Sequence, residues 1–216
     1  MKKAVIFDLD GLLIDSEIIS YQLYCDILGK YGYTLTIEEY ARTLSGKTAV
    51  ENMKNVIASY QLPFTLEEGL TLEEGMEKEY IKKGVALKPG AETLLQYLKG
   101  QQIKILLASS SLKERAMGIL KENKVDHYFD SMVFGPEVNR GKPFPDIFFK
   151  ACEKAGESAE DCLVLEDSEA GIAAAHSAGI DVICIPDMKL PGDEFKRMAV
   201  CELPSLVDVI GYLKSH

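Results

Sequence analysis

The chain has 216 residues, 47% of them hydrophobic, and its 24 basic and 34 acidic side chains leave a formal charge of −10 at pH 7. That apolar content excludes a disordered chain, and the length suits one large domain or two unequal ones. The acidity argues against nucleic acid polymers and anionic membrane surfaces as partners, because both demand a basic face.

Residues 3–7 form a short apolar run with two β-branched members and read as a buried strand ending at Asp8. Lys2 and Lys3 precede it, but the run is too short for a signal peptide, and no later run approaches ~18 apolar residues. The expectation is a cytoplasmic protein that does not engage the membrane. Residues 16–86 then read as helix after helix, at 17–30, 37–43, 48–60 and 66–83, punctuated by Gly32, Gly46 and Pro63. Within them, 67–79 hold six glutamates and one lysine, the pattern of a solvated helix face. From Pro89-Gly90 onward strands and helices alternate: strands at 103–107, 131–134, 163–165 and 181–185, helices at 91–99, 113–123, 145–155, 169–178 and 205–214. Such alternation predicts an α/β fold built on a parallel sheet with right-handed crossovers. The all-helical stretch 16–86 reads as a second domain inserted into a core made of 1–15 and 87–216. The five cysteines show no C-x-x-C spacing, and several lie in apolar runs, so they read as reduced core thiols.

Chemistry concentrates where strands end, the usual place for ligands in an open α/β sheet. Asp8-Leu9-Asp10-Gly11 follows the first strand, and two aspartates two residues apart suit covalent attack by one and proton transfer by the other. The second strand ends in Ser109-Ser110-Ser111, an anion cradle at a helix start, or alternatively a helix cap made by Ser111. Glu166 and Asp167 end the fourth strand, and Lys142 sits beside Pro143 on a loop. Two carboxylates ~5 Å apart repel by roughly 3 kcal/mol at an effective dielectric near 20. Several acids together with a phosphate dianion therefore call for a counter-charge, and a partly hydrated Mg²⁺ with oxygen ligands suits it best.

These segments, in this order, resemble the haloacid dehalogenase superfamily, in its branch with a helical cap inserted after the first strand. The resemblance rests on Asp8-Leu9-Asp10-Gly11-Leu12-Leu13-Ile14-Asp15, Ser109, Lys142 and Glu166-Asp167, and spans nearly the whole chain. It implies a Rossmann-like α/β core with helices on both faces of a parallel sheet, plus an all-helical cap. It further implies a Mg²⁺-dependent phosphatase that hydrolyses a small phosphomonoester, of sugar-phosphate or nucleoside-monophosphate type, through an aspartyl-phosphate. On that pattern Asp8 is the nucleophile and Asp10 the acid and base. Ser109, Ser110 and Lys142 hold the phosphoryl group. Asp8, Asp10 and Asp167 bind the metal, with Glu166 acting through water. In the cap, Leu44-Ser45-Gly46-Lys47 matches the segment that reaches substrate, which makes Gly46 and Lys47 specificity candidates. The implied partner is a small phosphorylated metabolite, and the protein is expected to be a monomer.

Two other readings stand beside hydrolysis: a β-phosphoglucomutase-type mutase and a non-catalytic phosphometabolite binder. The mutases of this group carry a histidine just after the DxDG segment, and Asp15-Ser16-Glu17-Ile18-Ile19-Ser20 has none. His127 and His176 read as structural or solvated, and His216 ends the sequence. Ser45-Gly46-Lys47-Thr48 resembles the end of a nucleotide-binding P-loop, but Ala41 stands where the first glycine belongs and the preceding residues read as helix.

Overall fold

The computed structural model describes residues 2–215. By internal contacts the chain divides into two units, one running through Asp15 and resuming at Ala86, the other Ser16–Val85.

The chain enters through β1 (Ala4–Phe7), whose four residues are all fully buried. The helical unit follows, with α1 (Ser16–Gly29), α2 (Ile37–Thr43), α3 (Ala49–Tyr60) and α4 (Leu66–Lys82). After it come α5 (Ala91–Gly100), β2 (Lys104–Ser109), α6 (Lys113–Glu122), β3 (Ser131–Phe134), α7 (Asp146–Ala155), β4 (Cys162–Glu166) and α8 (Glu169–Ser177). The chain closes with β5 (Asp181–Cys184), the short α9 (Asp193–Lys196), β6 (Cys201–Glu202) and α10 (Asp208–Ser215). The sequence pattern misses β6 and α9, which are two and four residues long and too short to show a period.

All six strands run parallel in the order β3-β2-β1-β4-β5-β6. The chain builds outward from β1 to β3, then returns to β1's other side for β4. The order therefore reverses between β1 and β4, the position where open α/β sheets bind ligands beyond their strand ends. Register fixes what meets there. Phe7 pairs with Leu107 on one side and Leu165 on the other, so Asp8 emerges level with Ala108 and Glu166. Helices α7 and α8 cover the sheet face that carries Ile6, Leu106, Val164 and Val182. The alternate residues Val5, Phe7, Leu107 and Leu165 are also fully buried, so the opposite face is covered as well.

In the helical unit, α3 and α4 each start on a capping box, Thr48 with Glu51 and Thr65 with Glu68. Thr48 therefore opens an ordinary helix, and Ser45-Gly46-Lys47 is the turn between α2 and α3 rather than a phosphate loop after a strand. Tyr24 and Tyr40 are fully buried here. Their hydroxyls donate to Glu73 Oε1 at 2.8 Å and to Glu17 Oε2 at 3.0 Å. The run 67–79 is thus not a uniformly solvated face, because Glu73 turns inward to Tyr24.

Burial pushes the Glu73 carboxyl up to about 7, against the opposing pull of its bond from Tyr24. A carboxyl raised in the folded state favours folding while it is protonated. Its contribution is complete below the ordinary value near 4.5 and is lost as pH rises through about 7. Glu73→Gln, neutral at every pH, is expected to melt higher than the parent at pH 8, with the gap closing by about pH 4. Equal differences in melting temperature at both pH values would contradict this.

Candidate active site

At the carboxyl end of β1, Asp8 is buried and its amide is donated to the Leu165 carbonyl at 3.1 Å. The Lys142 ammonium sits between two acids, 2.5 Å from Asp8 Oδ1 and 2.5 Å from Glu166 Oε1. It donates also to the Ala108 carbonyl at 3.1 Å. An ammonium has three protons, and here each has its acceptor. Read alone in sequence, Lys142 would be a solvated loop residue, yet its side chain is only 6% exposed. Burial alone would drive its proton off, but the attraction of Asp8 and Glu166 outweighs burial and holds its pKa above the ordinary value.

Glu166 is fully buried, and its other oxygen accepts from the Asp167 amide, the Ser168 amide and the Ser168 hydroxyl at 3.0–3.1 Å. The turn after β4 is thereby wound onto the Glu166 carboxylate. Gly171 is required by the same packing, since a Cβ there would collide with that carboxylate. Gly11 has a positive φ of 81°, and a Cβ on it would collide with the Asp167 carboxylate. The glycine of the DxDG segment therefore serves both the left-handed turn and the close approach of the β4 loop.

Asp10 has different surroundings from Asp8. Its Oδ2 accepts from the Ser111 hydroxyl at 2.7 Å and from Arg115 Nη1 at 3.0 Å. The same nitrogen lies 2.9 Å from Oδ1, but without the geometry of a hydrogen bond, and Oδ1 is left buried with no donor. Ser111 is not the cap of α6, a place taken by Leu112, which offers no side-chain bond. It instead joins Arg115, one helical turn on, in holding Asp10, and Arg115 donates to it at 2.9 Å. Ser109 is buried, and its Oγ accepts from the Ser111 amide at 3.1 Å. Ser110 is exposed, and its backbone carbonyl lies against Gly135. Sequence reasoning missed Arg115, which lies in the first turn of α6 just beyond the serine-rich strand end. It also missed Asp187, whose Oδ1 takes Lys88 at 2.5 Å and whose buried Oδ2, near Gly11, has no donor. Gly46 and Lys47 belong to the helical unit, where Gly46 has a φ of 73° and Lys47 Nζ donates to the Thr43 carbonyl at 2.6 Å.

Four carboxylates, Asp8, Asp10, Glu166 and Asp167, thus face two cations, Lys142 and Arg115. The imbalance shows in proton affinity. Burial, only partly offset by Lys142, pushes Asp8 up to about 7. Burial together with Glu166, Asp8 and Asp187 pushes Asp167 well above the usual carboxylate range. Asp167 Oδ1 is moreover buried with no hydrogen-bond donor. Among the described residues no three acidic, histidine or cysteine side chains form a closed cage. The carboxylates of Asp8, which is buried, and of Asp167, with its buried oxygen that has no donor, fit a hydrated Mg²⁺, which binds through few protein ligands.

Residues 5–185 match the family model of the haloacid dehalogenase-like hydrolases. The chain belongs to that family. It is 33% identical over 181 residues to a phosphorylated carbohydrates phosphatase of Thermotoga maritima, covering 84% of this chain and 83% of that one. A probable pseudouridine-5′-phosphatase of Drosophila melanogaster is 34% identical over 211 residues, covering 94% and 89%. Among solved structures, a family hydrolase from Deinococcus radiodurans, with bound phosphate and sodium, superposes with a TM-score of 0.86 at 25% identity over 99% of this chain and 96% of that one. No helix among the described residues is long and apolar enough to cross a membrane.

Removing the Lys142 ammonium would strand Asp8 and Glu166 as unpaired buried acids. Lys142→Met is expected to lower the unfolding free energy by about 3 kcal/mol in urea titration, with Glu166→Gln in the same chain recovering part of the loss. A single variant within about 1 kcal/mol of the parent would contradict the bridging role.

Proposed function

We propose that the protein is a Mg²⁺-dependent phosphoric monoester hydrolase that acts on a small phosphorylated metabolite through a phosphoryl group carried on Asp8. The observation that carries this reading is the contrast between the two aspartates at one strand end. Asp8 is held by Lys142 with its carboxylate at the sheet's switch point. Asp10 is fixed through Oδ2 by Ser111 and Arg115, while Oδ1 is left without a donor.

In this reading an Asp8 carboxylate oxygen attacks phosphorus, and the bond to the alcohol oxygen breaks. Asp10 gives that oxygen its proton through Oδ1, then takes a proton from the water that attacks the phosphoryl group and frees Asp8. Lys142 orients Asp8 and offsets charge on the transferring group, a reaction that needs mostly alignment and neutralisation. Ser109 has its hydroxyl proton to give, and Ser110 completes the proposed phosphate cradle. Mg²⁺ would be held by Asp8, Asp167 and the Asp10 carbonyl, and it supplies charge neutralisation at the phosphoryl oxygens. Glu166, already bonded to Lys142 and the turn amides, bears on the metal only through water. The second acid, Asp10, favours phosphoryl transfer over carbon–halogen cleavage, and the absence of histidine from 15–20 favours hydrolysis over a mutase. The names of the Thermotoga and Drosophila relatives support sugar phosphates and nucleoside monophosphates as the substrate class. Gly46 and Lys47 are the proposed specificity residues on the helical unit.

The test is p-nitrophenyl phosphate turnover by the purified full chain. Activity is expected to vanish in EDTA, to return with Mg²⁺, and to fall to background in Asp8→Asn with the fold intact by circular dichroism. Turnover indifferent to EDTA, or retained in Asp8→Asn, would overturn the proposal.

A further inference from the structure

Two thiols meet at the end of the sheet away from Asp8. Cys152 lies in α7, and Cys162 opens β4, paired in register with Ala4 at the start of β1. Cys152 Sγ donates to Cys162 Sγ at 3.6 Å, and neither is bridged. Cys162 is fully buried in the cluster that α7 and α8 cover, while the half-buried Cys152 packs against that cluster. The chain between them is pinned. The Glu157 amide donates to the Cys152 carbonyl at 3.2 Å, and Lys104 Nζ donates to the Ala155 carbonyl at 2.7 Å and to Glu157 Oε1 at 2.6 Å. To bond, the two sulfurs have to close by roughly 1.5 Å, a shift that rotation about the Cα–Cβ bonds can supply. Exposure assigns their roles, because a small oxidant in solvent reaches Cys152 before Cys162. The bond with Cys162 holds the Cys152 thiol below its ordinary value, whereas that bond and burial push Cys162 up, so the thiolate forms on Cys152.

We infer that Cys152 and Cys162 are a peroxide-responsive thiol pair that closes reversibly into a disulfide, clipping α7 to β4. The Cys152 thiolate attacks one peroxide oxygen and the O–O bond breaks. The departing hydroxide takes up a proton to become water, and Cys152 is left as a sulfenic acid. The Cys162 sulfur then attacks the Cys152 sulfur, the S–O bond breaks, and the oxygen leaves as a second water with the Cys162 proton. The two thiols together lose two electrons, and one peroxide is reduced to two waters. An external dithiol reopens the bond by exchange. The clip joins the helix that follows Lys142 to the strand that ends in Glu166. Cys162 and Glu166 are the two ends of that five-residue strand, about 13 Å apart, so oxidation consumes none of the acids around Asp8. The pair is independent of the hydrolase reading, and its test requires no turnover.

The experiment treats the native full chain with hydrogen peroxide, alkylates the remaining thiols with N-ethylmaleimide in denaturant, and maps the peptides by mass spectrometry. The expected product is an intramolecular cross-link between Cys152 and Cys162, with Cys25, Cys184 and Cys201 recovered as maleimide adducts. Dithiothreitol before alkylation should return all five cysteines to the alkylated form. Dimedone present during oxidation is expected to label Cys152 and not Cys162. The oxidised chain should melt about 5 °C above the reduced one, since the bond constrains the unfolded chain, and Cys152→Ser should abolish that shift. A parent chain without the Cys152–Cys162 cross-link after peroxide, or one that melts no higher once cross-linked, would overturn the inference. Dimedone on Cys162 instead of Cys152 would overturn the order of the two steps.

Discussion

The Lys142 ammonium, buried between Asp8 and Glu166, is the interaction on which the catalytic unit depends. It draws together three segments far apart in sequence: the end of β1, the loop before α7 and the end of β4. Each partner is unfavourable alone, since an isolated buried charge carries a desolvation penalty of several kcal/mol. Together they set the position of the Asp8 carboxylate. Glu166 also anchors the turn that carries Asp167, so one carboxylate orients both the lysine and the acid beside it.

The parallel sheet makes this cluster possible. Its order reverses between β1 and β4, which places the two acidic strand ends side by side with no strand between them. Register then brings Asp8 level with Glu166. The acidity of the chain, at first sight hostile to phosphate, divides by location. Part is surface charge on α4, part is bonded to Tyr24 and Tyr40 inside the helical unit, and part is the excess of carboxylates over cations around Asp8. Only the last calls for a metal cation, and it explains how an acidic protein can serve as a phosphate enzyme.

The core strands were legible because β1, and β4 as far as Leu165, are continuous apolar runs, the pattern of strands buried on both faces. Helices α3 and α4 were legible as spans punctuated by Gly46 and Pro63, and the capping boxes at Thr48 and Thr65 are the local chemistry that starts them. The candidate site acids were legible for a related reason: Asp8, Asp10, Glu166 and Asp167 cluster at the carboxyl ends of two recognisable strands. Arg115 was not, because a charged residue on a helix reads as solvated until its partner is known, and Asp10 lies 105 residues away. The burial of Lys142 was hidden similarly, its acids being 134 and 24 residues distant. Glu73 was masked by its glutamate neighbours, though Leu70, Glu73 and Glu77 recur at helical spacing on one face. The short β6 and α9 carry too few residues to show a period at all.

The central claim is that Asp8 carries the phosphoryl group while Asp10 moves the protons. It is tested most directly in Asp10→Ala with p-nitrophenyl phosphate, whose leaving group departs without a proton donor. Rapid mixing should release a burst of nitrophenolate equal to the active sites, followed by slow turnover. Acid-quenched protein should then carry a phosphoryl adduct on the peptide containing Asp8. A linear time course without a burst, or a quenched protein unmodified at Asp8, would contradict the account.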